Sequence, residues 1–179
     1  MRVLAITLVA VLCITVLVVA QSGRQPTSGS HLSREPFVKT AQENSFTTSP
    51  ILPDCYTYTV ERGDPKTGPS VTLSRLAAGC KVPWHIHSAN AQVLFVSGTF
   101  QLTMKGQRPQ VLTQGSYAYV PSNHQHEERC LDGCTYYVIR EGAADVHYLD
   151  ADGKEISPEV ARAAVGEHPA ASGSAISGR

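Results

Sequence analysis

The feature that most constrains this chain is a series of short β-type runs, spaced about ten residues apart and separated by turn residues. Val71 to Leu76 alternates apolar and polar side chains, and so does Thr99 to Met104, through Phe100, Leu102 and Met104. Gln92 to Val96, Tyr117 to Val120, Thr135 to Ile139 and Val146 to Leu149 are β-branched, aromatic or aliphatic. Between them stand Gly63-Asp64-Pro65, Lys66 to Pro69, Ser97-Gly98, Lys105-Gly106, Gln114-Gly115 and Asp132-Gly133. Runs this short and this evenly spaced bury enough surface only by closing into a sandwich or barrel. The prediction is an all-β single domain with no internal repeat. One short C-terminal helix is expected, because Ser157-Pro158-Glu159 supplies a cap, a first-turn proline and an early acid before Val160 to Val165.

Composition narrows the partners. The formal net charge is zero and 17% of the residues are charged, so nothing favours nucleic acid or an acidic membrane surface. The N-terminus has a different character. Met1-Arg2 is followed by Val3 to Ala20, in which Thr7 and Thr15 are the polar side chains. Val18 and Ala20 offer a cleavage site for a signal peptide, and the stretch is also about long enough for an uncleaved membrane anchor. Both readings export the domain, to the periplasm or the exterior, and both leave the membrane touched through residues 3–20 at most. The expected organisation is a signal or anchor over residues 1–20, a flexible linker over 21–35, a barrel over 36–165 and a disordered Gly/Ala/Ser-rich tail over 166–179.

Besides Cys13 there are four cysteines, Cys55, Cys80, Cys130 and Cys134. In an oxidising compartment an even number favours disulfides, and four cysteines allow three connectivities. Asp132-Gly133 would fold Cys130 and Cys134 opposite each other across a hairpin, within disulfide reach. Cys55 with Cys80 would follow by elimination. A cysteine metal site is the competing reading, against which the spacing of the pair counts.

His85-Ile86-His87 is the informative tripeptide. On a strand, residues two apart share a face, so both imidazoles project to one side. Pro83 fits a strand beginning just before them. A third ligand is supplied by the segment Gly115 to His126, where a strand ends at Pro121 and a tight turn leads to a histidine. Asn123 tolerates the positive φ such a turn needs.

These residues resemble the two motifs of the cupin superfamily, and within it the small bacterial single-domain cupins of type-2-like sequence. The first motif reads Gly, five residues, His-x-His, a Glu after three or four more, then Gly; Gly79, His85, His87 and Gly98 match it. The second reads Gly, five residues, Pro-x-Gly, two residues, His; Gly115, Pro121 and His126 match, with Asn123 for the last Gly. Gly63-Asp64-Pro65 and Gly68 also resemble a segment common in these proteins. The resemblance implies a double-stranded β-helix, or jelly-roll, barrel. It also implies a divalent transition metal (Zn, Fe, Mn, Ni or Cu) on His85, His87 and His126, with a small-molecule ligand or substrate and a homodimer in many members.

One position departs from the pattern. The motif glutamate falls on Ala91, counting back from Gly98, or on Gln92, counting on from His87. Alanine cannot bind a metal and glutamine is a poor neutral ligand. The expected site is therefore three neutral imidazoles and an open position. Gln92 and His124 are weaker ligand candidates, and His124 is otherwise a residue at the rim. Glu127 and Glu128 read as exposed charges, either of which could stand in for the absent carboxylate. Trp84, Phe95, Phe100, Tyr117 and Tyr119 read as core or pocket wall. Two functions follow: a binding module without turnover or of unassigned activity, and a metal-dependent enzyme of dioxygenase, isomerase or decarboxylase type acting on a small organic substrate.

Overall fold

The computed structural model describes residues 36–165; the signal or anchor, the linker and the tail lie outside the described residues. After a short 3-10 turn at Ala41–Glu43 come eleven strands and a helix: β1 Tyr56–Gly63, β2 Ser70–Leu76, β3 Lys81–Ile86, β4 Ala91–Ser97, β5 Phe100–Met104, β6 Gln110–Leu112, β7 Tyr117–Val120, β8 His126–Cys130, β9 Cys134–Arg140, β10 His147–Leu149, β11 Glu155–Ile156 and α1 Pro158–Val165. They form two antiparallel sheets, ordered β1-β2-β9-β4-β7 and β11-β10-β3-β8-β5-β6. The molecule is mostly β and closes into a two-sheet barrel, as the strand spacing implied, with the jelly-roll form that the cupin resemblance implied. Helix α1 lies on β3 and β10 and buries Ala161, and its first turn is capped by the Val160 N–H donating to Ser157 Oγ at 3.4 Å.

The core fills the space between the sheets and is aromatic at one end. Phe95, Phe100 and Tyr136 meet with ring centroids 5.0–5.3 Å apart, and Tyr56 packs edge-on to Tyr136 at 6.4 Å. Period-two alternation places them. Ala91, Val93 and Phe95 point inward from β4, while Tyr136 and Val138 do so from β9. Tyr117 and Tyr119, expected in the core or pocket wall, are not in the core, at 57% and 45% exposure, but do wall an open pocket with Gln107 and Gln110. Trp84 also faces outward, toward the Lys105 ammonium 5.9 Å from its ring centroid.

Cys55 is joined to Cys80 and Cys130 to Cys134, with Cα–Cα distances of 5.7 and 5.8 Å. Asp132-Gly133 does not make the expected hairpin. Strands β8 and β9 belong to different sheets, so the chain turns a corner there and the disulfide staples sheet to sheet. Asp132 fixes that corner by accepting from the Thr99 N–H at 2.6 Å and the Thr99 hydroxyl at 2.8 Å. Gly98 lies underneath with φ +88°, and a Cβ there would overlap the Gly133 carbonyl oxygen and crowd Cys134 Cα at 2.9 Å. Cys55–Cys80 likewise ties the start of β1 to the start of β3 in the opposite sheet.

Candidate metal centre

His85 and His126 are direct cross-strand partners on β3 and β8, and His87 follows at the end of β3. The parity that turns His85 inward is not the simple one. Val82 and His85 are both buried although three residues apart, because the β3–β8 register shifts between them. Pro83 sits inside that irregularity rather than at a strand start. It has no N–H to give to the ladder, which is why a bulge accommodates it. Opposite, the turn into β8 places Asn123 at φ 58°, the left-handed conformation its side chain tolerates.

The three imidazoles converge. Their ring centroids lie 4.0–5.3 Å apart, and one ring nitrogen from each falls within 4.8 Å of the others. All three are buried, at 2%, 7% and 1% exposure for His85, His87 and His126. The Nδ1–H of His85 donates to the Pro83 carbonyl at 2.7 Å, that of His126 to the His124 carbonyl at 2.9 Å, and that of His87 to the Asp145 carbonyl. A carbonyl has no hydrogen to offer, so Nδ1 must carry it in each ring and the lone pair is on Nε2. Burial favours the neutral form throughout. It lowers His87 to about 3 and His126 to about 4, and with the neighbouring imidazoles it holds His85 well below its ordinary 6.5. Neutral rings with oriented Nε2 lone pairs are the donor set a divalent transition metal takes.

The weaker candidates separate here. Gln92 lies on the outer face of β4, where its Oε1 accepts from the Tyr117 hydroxyl at 3.3 Å, so it cannot be a ligand. Ala91 is the inward residue, buried at 3%, in the register counted back from Gly98. His124 is outside the trio and contributes its backbone oxygen to His126.

Glu128 is not an exposed charge. It points into the barrel two residues beyond His126, its side chain 12% exposed, with Oε1 4.0 Å from His126 Nε2. The Tyr136 hydroxyl donates to its Oε2 at 3.1 Å. Burial raises its carboxyl to about 7, while the Tyr136 hydroxyl and the Arg140 charge pull it back. Arg140, at the inward end of β9, and Tyr136 were also missed. Strand parity was the available signal: if His126 faces in, so does Glu128, and Tyr136, Val138 and Arg140 share one face. Charge read residue by residue hid it.

A two-sheet β-barrel with three inward histidines at one end defines the cupin class. The chain belongs to the family of ChrR cupin-like domains, whose model matches residues 34–144. No curated protein matches it. Among solved structures it resembles an RmlC-like cupin from Ralstonia eutropha, with 19% identity over 69% of this chain and 78% of that one and a TM-score of 0.55. The polyketide cyclase RemF from Streptomyces resistomycificus shares 15% identity over 66% of this chain and 90% of its own, also with a TM-score of 0.55. Against the DMSP lyases RdDddP and RnDddQII the identity is 19%, the TM-score is 0.46, and the chain spans about half of that protein, with 53% of each covered. At these identities the likeness is one of fold.

Proposed function

We propose that this chain is an exported metal-binding cupin in which His85, His87 and His126 hold a divalent transition metal (Zn, Fe, Mn, Ni or Cu) and leave a position open for a small molecule. The observation that supports it is the trio itself: three buried imidazoles kept neutral, each with Nδ1 tied to a main-chain carbonyl. An ion held by neutral ligands retains its double charge and supplies Lewis-acid chemistry to whatever oxygen it meets. Export is supported by the two disulfides, which suit an oxidising compartment, and residues 36–165 form the exported barrel. No helix among the described residues is long and apolar enough to cross a membrane. A homodimer belongs to this reading, supported by exposed Leu94, Tyr117, Tyr119 and Tyr137 on one outer sheet face.

The test is metal analysis of protein purified from its native compartment. One transition-metal ion per chain is expected in the wild type and its loss in His126→Ala. A metal-free wild type overturns the proposal.

Metal-dependent turnover is the second reading. Glu128 favours it: a carboxyl poised near neutrality and held by Tyr136 could take and return a proton next to the histidines. Turnover of a small organic substrate that is lost in Glu128→Gln, with metal retained, would establish it.

A further inference from the structure

The histidines do not account for Arg140. Its Nε is buried and has no hydrogen-bond partner, and one Nη reaches only the Thr72 hydroxyl, at 3.5 Å. No carboxylate lies within 4.0 Å of it among the described residues. Its two ladder neighbours, Ala91 on β4 and Ser70 on β2, carry no charge. A guanidinium partly desolvated and without an anion is costly, and its two terminal nitrogens can take a carboxylate in a two-bond fork.

What lies around it is a site. A cavity of about 170 Å³ opens against β1, β2 and β9 of one sheet and the loops beside them, and is lined by Tyr56, Thr72, Arg140 and apolar Ile51, Leu52 and Val146. Tyr56 and Arg140 also line the small space beside His87 and His126, so the two are the shared wall between cavity and histidines. Asp145 lines the cavity as well, but its carboxylate is engaged by the Ser88 N–H at 2.9 Å and by His147 at 3.3 Å. Lys66 at the rim adds a second cation.

We propose that this cavity takes a small organic acid, its carboxylate forked onto Arg140 and its apolar body against Ile51, Leu52 and Val146. The volume suits a small molecule. The inference deepens the proposed metal site by naming its ligand class and rests on that reading for the ligand's nearness to the ion. The guanidinium itself needs no metal to bind a carboxylate.

The experiment uses the full chain loaded with Zn and titrates butyrate, benzoate and pyruvate, each against its neutral amide, by calorimetry, with metal content measured on the same samples. At least one acid is expected to bind saturably, its amide roughly tenfold or more weaker. Arg140→Gln is expected to weaken the acid by a similar factor with metal retained, and Arg140→Lys by less. Equal binding of acid and amide, undiminished binding in Arg140→Gln, or no saturable binding of any acid overturns the inference. The wild-type comparison decides the matter even if the variants misfold. Arg140-dependent binding in a protein that holds no metal would leave the inference standing and sink the metal reading instead.

Discussion

Replacing Glu128 by glutamine removes a charge from the barrel without changing its shape. The carboxyl is raised from its ordinary 4.5 to about 7 by burial, and that gap is worth about 3 kcal/mol at 1.36 kcal/mol per tenfold change in proton affinity. The sign follows from where the proton prefers to be. The folded state holds it more tightly than the unfolded state, so this one group's contribution to wild-type stability falls as pH rises from 4.5 through 7 and is level beyond, against the opposite slope of the buried histidines. A glutamine at this position cannot ionise and can still accept from the Tyr136 hydroxyl, so Glu128→Gln escapes that loss. Urea unfolding of chelator-treated protein should find the variant more stable by under about 1 kcal/mol at pH 5 and by about 3 kcal/mol at pH 8. Metal must be absent, because a dication beside the carboxyl would take the proton's place. The histidines also titrate, but they do so in both proteins and cancel to first order. A difference that stays constant from pH 5 to 8 would refute the reasoning and return Glu128 to the solvent.

Three further outcomes are expected. In metal-free Glu128→Gln, where the opposing carboxyl titration is gone, the stability should drop as pH falls below 6.5, because His87 and His126 charge in the unfolded chain near that value but in the folded one only near 3 and 4; unfolding curves between pH 7 and pH 4.5 check this, and a flat profile counts against the buried neutral trio. Gly98→Ala should destabilise by more than about 2 kcal/mol, since its Cβ would overlap the Gly133 oxygen in a left-handed backbone, and a thermal midpoint within a degree or two of wild type would contradict it. Removing Cys55–Cys80, which closes 25 residues, should cost about 3–4 kcal/mol and removing Cys130–Cys134, which closes 4, about 2; the reverse order in denaturant midpoints would rule out loop closure as the cause.

The parts of the fold that were legible in the sequence are those where side-chain chemistry and period agree. Phe100, Leu102 and Met104 alternate cleanly and stand in β5 as expected, and the Ser157 cap begins α1. Strand β8 escaped because His126-Glu-Glu-Arg-Cys130 looks like a solvated stretch, although its alternate residues enter the barrel. Strand β1 escaped because Tyr56-Thr-Tyr-Thr59 shows no apolar–polar alternation, and polar Thr59 is buried as fully as Tyr56. The histidine trio could be read from spacing alone. Parity with Tyr136 and Val138 would have turned Arg140 inward too, but only the pairing of β9 with β4 shows that an alanine and no acid lies beside it.

The three acceptors that fix the histidine tautomers are the main-chain oxygens of Pro83, His124 and Asp145. Every amino acid carries that oxygen. Where a metal-binding histidine is oriented by a carboxylate side chain, one substitution at the partner releases the ring. Here drift at those three positions changes the side chain and keeps the acceptor, so long as the backbone path holds. The orientation of the three rings can therefore persist through substitutions that replace the side chains at those positions, whereas Glu128 and Arg140 act through their own side chains and lose their part in the site with one substitution.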